Sequence, residues 1–450
     1  MEENVKAHEA AEYPSESNGD RGAQKQITDE SELRSTSDEY GENTSAVSDN
    51  DKSCEKDVIH HTAGMWRYAP VPKDEPDPAP EYLSDYTELP GSRIIAARVR
   101  GKKHKHEGTN CDDWYAVSGW NNVTCIAVAD GAGSKKYSRI GAKASCEKAV
   151  AVLKEKTEEL FTAEPALIEV VELPVNDAQF LQLCSRLAYI VQTAAISARE
   201  KVQEAHRMRL SEPAFSESKC DDFSSTLLLA LIVPAGNEKL VITCQIGDGL
   251  IAILDRKSGY DNAVKIMGNP DSGEFSGETE FLTSSKMQTL EALQSRTKIS
   301  KGNADLMLMM SDGVADDYFP AKTEVYRLYY DLLVNGILDF KNETSLSWEQ
   351  LTQEQMSLFK KIPEPDAYPW VNDPDQKVTL QYTRKICGSM ACTYKQLWED
   401  PIILQLAHMQ LETIRSISAA DERLKVWLDN YVERGSFDDR TLVIADMTAF

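Results

Sequence analysis

The sequence predicts an α+β fold, in which short buried strands alternate with two long helices. The apolar run over residues 124–129 ends abruptly at Asp130 and Gly131, which is typical of a buried strand that stops at a turn. Residues 138–160 and 177–207 instead place apolar side chains at helical spacing. Residues 223–233 and 240–246 are two apolar runs joined by a turn sequence, which predicts a hairpin.

The same junction of an apolar strand with an acidic residue recurs along the chain. A single Asp-Gly after a strand is usually only a turn, so the recurrence is the informative observation. Five strand ends carry such acids, namely Asp112 with Asp113, Asp130, Asp248, Asp312, and Asp438 with Asp439. If these ends converge in one sheet system, the carboxylates share a single cleft.

Clustered carboxylates require protons or cations to neutralise them. Two of them at about 5 Å, with an effective dielectric constant near 20, repel each other by roughly 3 kcal/mol. The cluster must therefore take up protons or bind cations. An all-oxygen ligand set favours hard divalent ions, so the sequence predicts a magnesium or manganese site.

The remaining segments indicate how the chain is organised. Residues 1–60 are acidic and poor in large apolar side chains, so we expect a disordered tail. Residues 61–92 are rich in proline and are predicted to be an extended linker. Residues 93–450 then form one domain, beginning with a strand near 93–100 and carrying a mostly helical insertion at about 318–430.

Composition narrows the classes of partner. The net charge of −24 repels phosphate backbones and anionic lipids, so neither nucleic acid nor membrane is an expected partner. Nine cysteines without a Cys-x-x-Cys pair predict reduced thiols in a cytoplasmic protein. The acidic N-terminus lacks the apolar segment of a secretory signal. A protein partner for the acidic tail or for the helical insertion stays open.

The order of the motifs resembles the PPM family, the metal-dependent type 2C serine/threonine protein phosphatases, and in particular its bacterial branch. The residues that carry the resemblance are Asp112-Asp113, Asp130-Gly131-Ala132-Gly133, Ser225-Thr226, Gly247-Asp248, Ser311-Asp312-Gly313 and Asp438-Asp439-Arg440-Thr441. The resemblance implies a four-layer α-β-β-α sandwich of two antiparallel sheets flanked by helices. It also implies hydrolysis of phosphoserine or phosphothreonine in protein substrates.

By the same resemblance, two and at most three Mn²⁺ or Mg²⁺ ions bind at one end of the sandwich. Asp130 would bridge both ions and the Gly131 carbonyl would bind one of them. Asp312 and Asp438 would hold the second ion, and Asp113 would act through coordinated water. Asp112 completes the acidic pair, and Asp248 matches a third, weaker position.

The resemblance is incomplete for the residues that would bind the substrate phosphate. Eukaryotic relatives place an arginine a few residues before the acidic pair, whereas this chain has Glu107-Gly108-Thr109-Asn110 there. His104 in the basic run 98–106, or Lys135 after the Asp130 turn, is the predicted replacement, although the run also fits a solvated loop. Two alternatives therefore stay open, a pseudophosphatase or adaptor with little turnover, and a phosphohydrolase that acts on small phosphoesters.

Overall fold

The strands form two antiparallel sheets, and helices cover the outer face of each one. The computed structural model describes residues 67–268, 270, 279–340, 346–365, 382–430 and 437–448. The predicted tail 1–60 and the first residues of the predicted linker lie outside this part of the chain. None of the described helices is both long and apolar enough to cross a bilayer.

The six-stranded sheet has the order β1-β2-β11-β10-β7-β8, and the five-stranded sheet has the order β3-β4-β5-β6-β9. The strands are β1 Tyr82–Leu89, β2 Ser92–Val99, β3 Trp114–Trp120, β4 Val123–Ala129, β5 Leu227–Ala235, β6 Glu238–Ile246, β7 Leu250–Leu254, β8 Val264–Ile266, β9 Thr297–Gly302, β10 Leu306–Met310 and β11 Arg440–Asp446.

The α-helices fall into two groups, one for each sheet, with short helices between them. They are α1 Lys102–Glu107, α2 Ser138–Ala163, α3 Leu167–Val170, α4 Ala178–Arg209, α5 Tyr260–Ala263, α6 Leu290–Ser295, α7 Asp312–Tyr318, α8 Lys322–Val334, α9 Gln353–Phe359, α10 Tyr382–Met390, α11 Tyr394–Glu399, α12 Ile402–Glu412 and α13 Ala420–Asn430.

Three apolar cores separate the four layers. Met307 and Met309 of β10 lie in the core between the two sheets, while Leu306 and Leu308 point to the core beneath helices α7–α13. A third core joins the five-stranded sheet to α2 and α4. Because the central strands are buried on both faces, they read as continuous apolar runs. The α-β-β-α sandwich expected from the family resemblance is therefore confirmed.

The predicted helical insertion supplies the outer layer of the six-stranded sheet. Its helices share one core with that sheet, and Trp427 of α13 is fully buried there. Arg327 of α8 is also buried, lies 4.1 Å above the ring of Tyr318, and donates to the carbonyl of Asp317 at 2.6 Å. The segment is thus an integral layer of the domain.

The edge strand β1 lies where the sequence predicted only an extended linker. Residues Tyr82–Leu89 pair with β2 along their whole length. The strand contains no proline, because Pro80 precedes it and Pro90 follows it. Every residue of β1 therefore keeps the N–H group that strand pairing needs. Five of its eight side chains are exposed, which is why the sequence shows no apolar run there.

Gly141 marks the closest approach of α2 to the chain beneath it. A Cβ atom at this position would lie 1.8 Å from the carbonyl oxygen of Phe223, whereas one at Gly388, also helical, would meet nothing within 4 Å. We expect Gly141→Ala to lower the free energy of unfolding by about 1–3 kcal/mol, and Gly388→Ala to raise it by up to about 1 kcal/mol. Chemical denaturation of both variants tests this pair, and equal effects would contradict the packing described.

Candidate metal centre

Three aspartates from separate strand ends meet at one end of the sandwich. Asp130 follows β4, Asp248 follows β6, and Asp312 is the first residue of α7 after β10. Each offers a carboxylate oxygen, and these oxygens lie within 4.8 Å of one another. Since β4 and β6 belong to one sheet and β10 to the other, the cluster lies at the junction between the sheets. The predicted convergence is present for these three residues.

The backbone around Asp130 is held by the strand that follows α4. The Asp130 N–H donates to the Thr226 hydroxyl at 2.8 Å, and the Thr226 N–H donates to the Asp130 carbonyl at 2.8 Å. Gly131 forms a bridge with Ser225. A Cβ atom on Gly131 would lie 2.7 Å from the carbonyl oxygen of Asp112, so a larger residue would force the Asp112 backbone away.

Asp113 is fully buried, and its two carboxylate oxygens differ. Oδ2 accepts hydrogen bonds from Ser311 at 2.7 Å and from Thr441 at 2.6 Å. Oδ1 is buried, and no described N–H or hydroxyl group donates to it; the same holds for Oδ1 of Asp312. Buried acceptor oxygens without a donor are costly unless a cation or a water satisfies them. These orphaned oxygens therefore fit a hard divalent cation and its coordinated water.

The acidic side chains of this centre hold their protons more tightly than usual in the metal-free protein. Burial, and then the nearby Asp439 carboxylate, raise the pKa of Asp112 and of Asp113 to about 7. Burial is also the main cause for Asp312, whose pKa rises to about 8. For Asp130, burial and then the charge of Asp312 raise the pKa well above its ordinary range. A bound cation would remove the repulsion that favours protonation.

Asp438 occupies the outer edge of this cluster. Its side chain is 44% exposed, and its Oδ1 accepts the N–H of Asp439 at 2.9 Å. It is absent from the tight group of three oxygens described above, but its charge contributes to the raised pKa values of Asp130 and Asp312. Its predicted role as a metal ligand stays a prediction, as does that of the Gly131 carbonyl.

Asp439, which the sequence placed only in a motif, anchors the loops around the centre. Its buried carboxylate accepts the N–H groups of Gly101 at 2.6 Å and Asp112 at 2.5 Å, and forms an ion pair with Nδ1 of His104 at 2.9 Å. Burial opposes ionisation of Asp439, but His104 and the two N–H groups outweigh it, so its pKa lies below the ordinary range. Asp439 is therefore an anion that joins β11 to the acidic pair.

Asp316 is an acidic neighbour that sequence reasoning missed. It lies one helical turn after Asp312 on α7, and burial followed by the charges of Asp248 and Asp438 raises its pKa. The signal in the sequence is the spacing of four residues between Asp312 and Asp316, which places both side chains on one face of a helix.

Three residues of the basic run make structural contacts, and its second half forms α1, where a solvated loop was one of the two expectations. Arg98 and Arg100 are buried and donate to backbone carbonyls, Arg98 to that of Asp113 at 2.9 Å and Arg100 to that of Ala69 at 2.8 Å. His104 is 4% exposed and pairs with Asp439.

Lys135, the other predicted phosphate ligand, forms an ion pair with Asp221. Both predicted replacements for the arginine, Lys135 and His104, are thus held by carboxylates in this structure. Their role in binding phosphate remains untested.

His104 offers a direct test of this anchoring network. Asp439 would stay charged and buried after His104→Ala, with one strong partner fewer. We expect this change to lower the free energy of unfolding by about 2 kcal/mol, and His104→Gln, which retains an N–H donor, to lower it less. Urea unfolding in a chelator measures both, and identical values for His104→Ala and the parent would contradict the ion pair.

A match to a protein-family model relates this chain to known proteins. The model for protein phosphatase 2C matches residues 100–358, more than half of the sequence. The chain belongs to the protein phosphatase 2C family. The prediction made from the order of the motifs is thereby confirmed.

Several solved structures are similar to this member of the protein phosphatase 2C family, at low sequence identity. The catalytic domain of the serine/threonine phosphatase PstP, in complex with two manganese ions, is 16% identical, with 79% of this chain and 97% of that chain covered and a TM-score of 0.31. RsbX in complex with magnesium is 10% identical, with 81% and 98% covered and a TM-score of 0.31.

A sex-determining protein of C. elegans is 12% identical, with 80% of this chain and 66% of that chain covered and a TM-score of 0.32. No curated protein matches this sequence.

Proposed function

We propose that this chain is a metal-dependent protein serine/threonine phosphatase, in which water activated by two divalent cations hydrolyses the phosphomonoester. The observation that carries the proposal is the meeting of Asp130, Asp248 and Asp312 within 4.8 Å, beside the orphaned Oδ1 of Asp113. Four buried or half-buried carboxylates destabilise the fold if no cation lies between them. They are, however, a suitable ligand set for Mn²⁺ or Mg²⁺.

Some residues of the centre would bind the cations directly, and others hold those ligands in position. Asp130, Asp312 and Asp438 would supply the principal carboxylates, with the Gly131 carbonyl, Asp112 and Asp113 beside them and Asp248 at a weaker third position. When bound, two divalent cations supply a water of lowered pKa and concentrated positive charge for the phosphoryl oxygens.

Ser311 and Thr441 hold Oδ2 of Asp113, so that Oδ1 keeps a fixed direction. Thr226 fixes the backbone of Asp130 in the same way. No side-chain nucleophile is needed in this proposal.

A phosphatase requires that the substrate phosphate be held, and this chain differs from its relatives there. The predicted replacements for the arginine, His104 and Lys135, both pair with carboxylates. This observation favours the second candidate, an adaptor that keeps the fold and the metals but turns over poorly. Phosphorylated protein segments remain the expected ligand in either case, and the net charge of −24 requires that the cations provide most of the attraction.

One assay separates the candidates. The purified chain is incubated with phosphoserine and phosphothreonine peptides, and separately with p-nitrophenyl phosphate, in Mn²⁺ or in a chelator. Manganese-dependent release from the peptides supports the proposal. Absence of release with Mn²⁺ bound, shown by calorimetry, supports the adaptor. A strong preference for the small ester supports a phosphohydrolase of small molecules.

A further inference from the structure

A polar cleft lies at the end of the sandwich opposite the aspartates. Its volume is about 700 Å³, and it opens between the outer helical layer and the strand ends. Asp305 in its wall precedes β10, whose other end leads to Asp312. At about 3.3 Å per residue, the seven steps between them amount to some 20 Å. The cleft is therefore separate from the proposed catalytic site.

The strand side of the cleft carries three cations from two adjoining segments. Lys239 begins the buried part of β6, while Arg256 and Lys257 follow β7. Lys239 is half-buried, and its ammonium group forms no hydrogen bond or ion pair with any described residue, as is also true of Lys257. Such concentration of positive charge is unusual on a chain with a net charge of −24.

Two acidic groups near the cleft contact Arg256, one through its backbone and one through its side chain. Asp305 accepts the backbone N–H of Arg256 at 2.7 Å. Asp446 pairs with Arg93 at 2.8 Å and lies 3.8 Å from the guanidinium of Arg256. Burial lowers the pKa of Lys239 in spite of the charge of Asp305, because the half-buried ammonium has lost part of its hydration. An added anion would provide the missing partner.

The helical side of the cleft is aromatic. Trp398 and Phe340 are half-buried in its wall, and Tyr329 stands between them and the core, with its ring 5.8 Å from that of Trp398. The indole N–H of Trp398 already donates to the carbonyl of Ser258 at 3.0 Å, so the polar atom of this ring is satisfied. Flat rings pack well against aromatic side chains.

We propose that this cleft binds a small anionic ligand in which a phosphate-type group is joined to a planar ring. The phosphate group contacts Lys239 and Arg256, and the ring packs against Trp398 and Phe340. The volume lies within the range of about 300–1,000 Å³ that is usual for small-molecule sites. Charge-assisted hydrogen bonds to a half-buried ammonium are strong enough to give measurable affinity.

The test uses AMP as the probe, with the full chain in a chelator so that the aspartates hold no metal. Calorimetry should show saturable binding of AMP at millimolar concentration or below. Adenosine, which lacks the anion, and inorganic phosphate, which lacks the ring, should each bind at least about tenfold more weakly. Failure of AMP to bind, or equal binding of AMP and phosphate, would overturn the proposal.

Substitutions at and away from the cleft test where AMP binds. Lys239→Gln should weaken AMP by about tenfold or more, while the exposed control Lys201→Gln on α4 should bind AMP as the parent does. Asp312→Asn should also leave AMP binding unchanged, since it alters only the opposite end. Equal affinity for the parent and Lys239→Gln would overturn the proposal, as would loss of AMP binding in Asp312→Asn.

Discussion

Asp130→Asn is expected to abolish metal-dependent phosphate release, by about a thousandfold or more, and to stabilise the metal-free protein. The two effects have one cause. Asp130 lies within 4.8 Å of Asp248 and Asp312, and burial together with the charge of Asp312 already raises its pKa. Replacing the carboxylate with an amide removes a charge that the cations need and that the metal-free fold tolerates poorly.

The measurement combines phosphopeptide hydrolysis in Mn²⁺ with urea unfolding in a chelator. We expect the unfolding free energy of Asp130→Asn to exceed that of the parent by about 1–3 kcal/mol near pH 8. Asp261→Asn, an exposed carboxylate next to Lys395, serves as the control and should change neither quantity. Retained hydrolysis in Asp130→Asn would exclude this residue from the metal centre.

Stability of the metal-free protein is expected to fall as the pH rises from about 5 to about 8. Asp113 has its pKa raised from an ordinary value of 3.8 to about 7, and Asp312 to about 8. A carboxyl group that holds its proton more tightly when folded contributes stability below its unfolded pKa. That contribution is lost as the pH passes through its folded pKa. We expect a loss of at least about 3 kcal/mol over this interval, since a single group with a folded pKa near 7 already accounts for that amount.

Manganese should reverse this trend. Because the ligands must be deprotonated, cation binding strengthens as the pH rises, so stabilisation by Mn²⁺ should be larger near pH 8 than near pH 5. Urea unfolding at several pH values, with Mn²⁺ and with chelator, gives both curves. Asp312→Asn should flatten the chelator curve. A metal-free protein whose stability rises across this interval would contradict the raised pKa values.

The central strands could be predicted because a strand that is buried on both faces has a nearly continuous run of apolar residues. Residues 306–310 are apolar throughout, and residues 240–246 are apolar except for Thr243 and Gln245; they form β10 and most of β6. The acidic residues after them were therefore recognisable as strand ends. The edge strand β1 could not be recognised because only one of its edges is paired and five of its eight side chains are exposed.

The anchoring role of Asp439 could not be read from the sequence. Its partners Gly101, His104 and Asp112 lie more than 300 residues earlier in the chain, and only the pairing of β11 with β2 brings them together. For the same reason His104 was interpreted as a phosphate ligand, since the sequence shows its charge but not its buried partner. Local spacing predicts strands and helices, whereas ion pairs between distant segments depend on the register of the sheets.

The aspartates at the sheet junction are accounted for here as a ligand set for divalent cations, and counting the bound ions tests this most directly. Titration of the metal-free parent with Mn²⁺ near pH 7, followed by calorimetry, should give about two tightly bound ions per chain. Asp130→Asn should lose at least one of them. A parent that binds no Mn²⁺, or an Asp130→Asn variant that binds as many ions as the parent with the same affinity, would contradict the account.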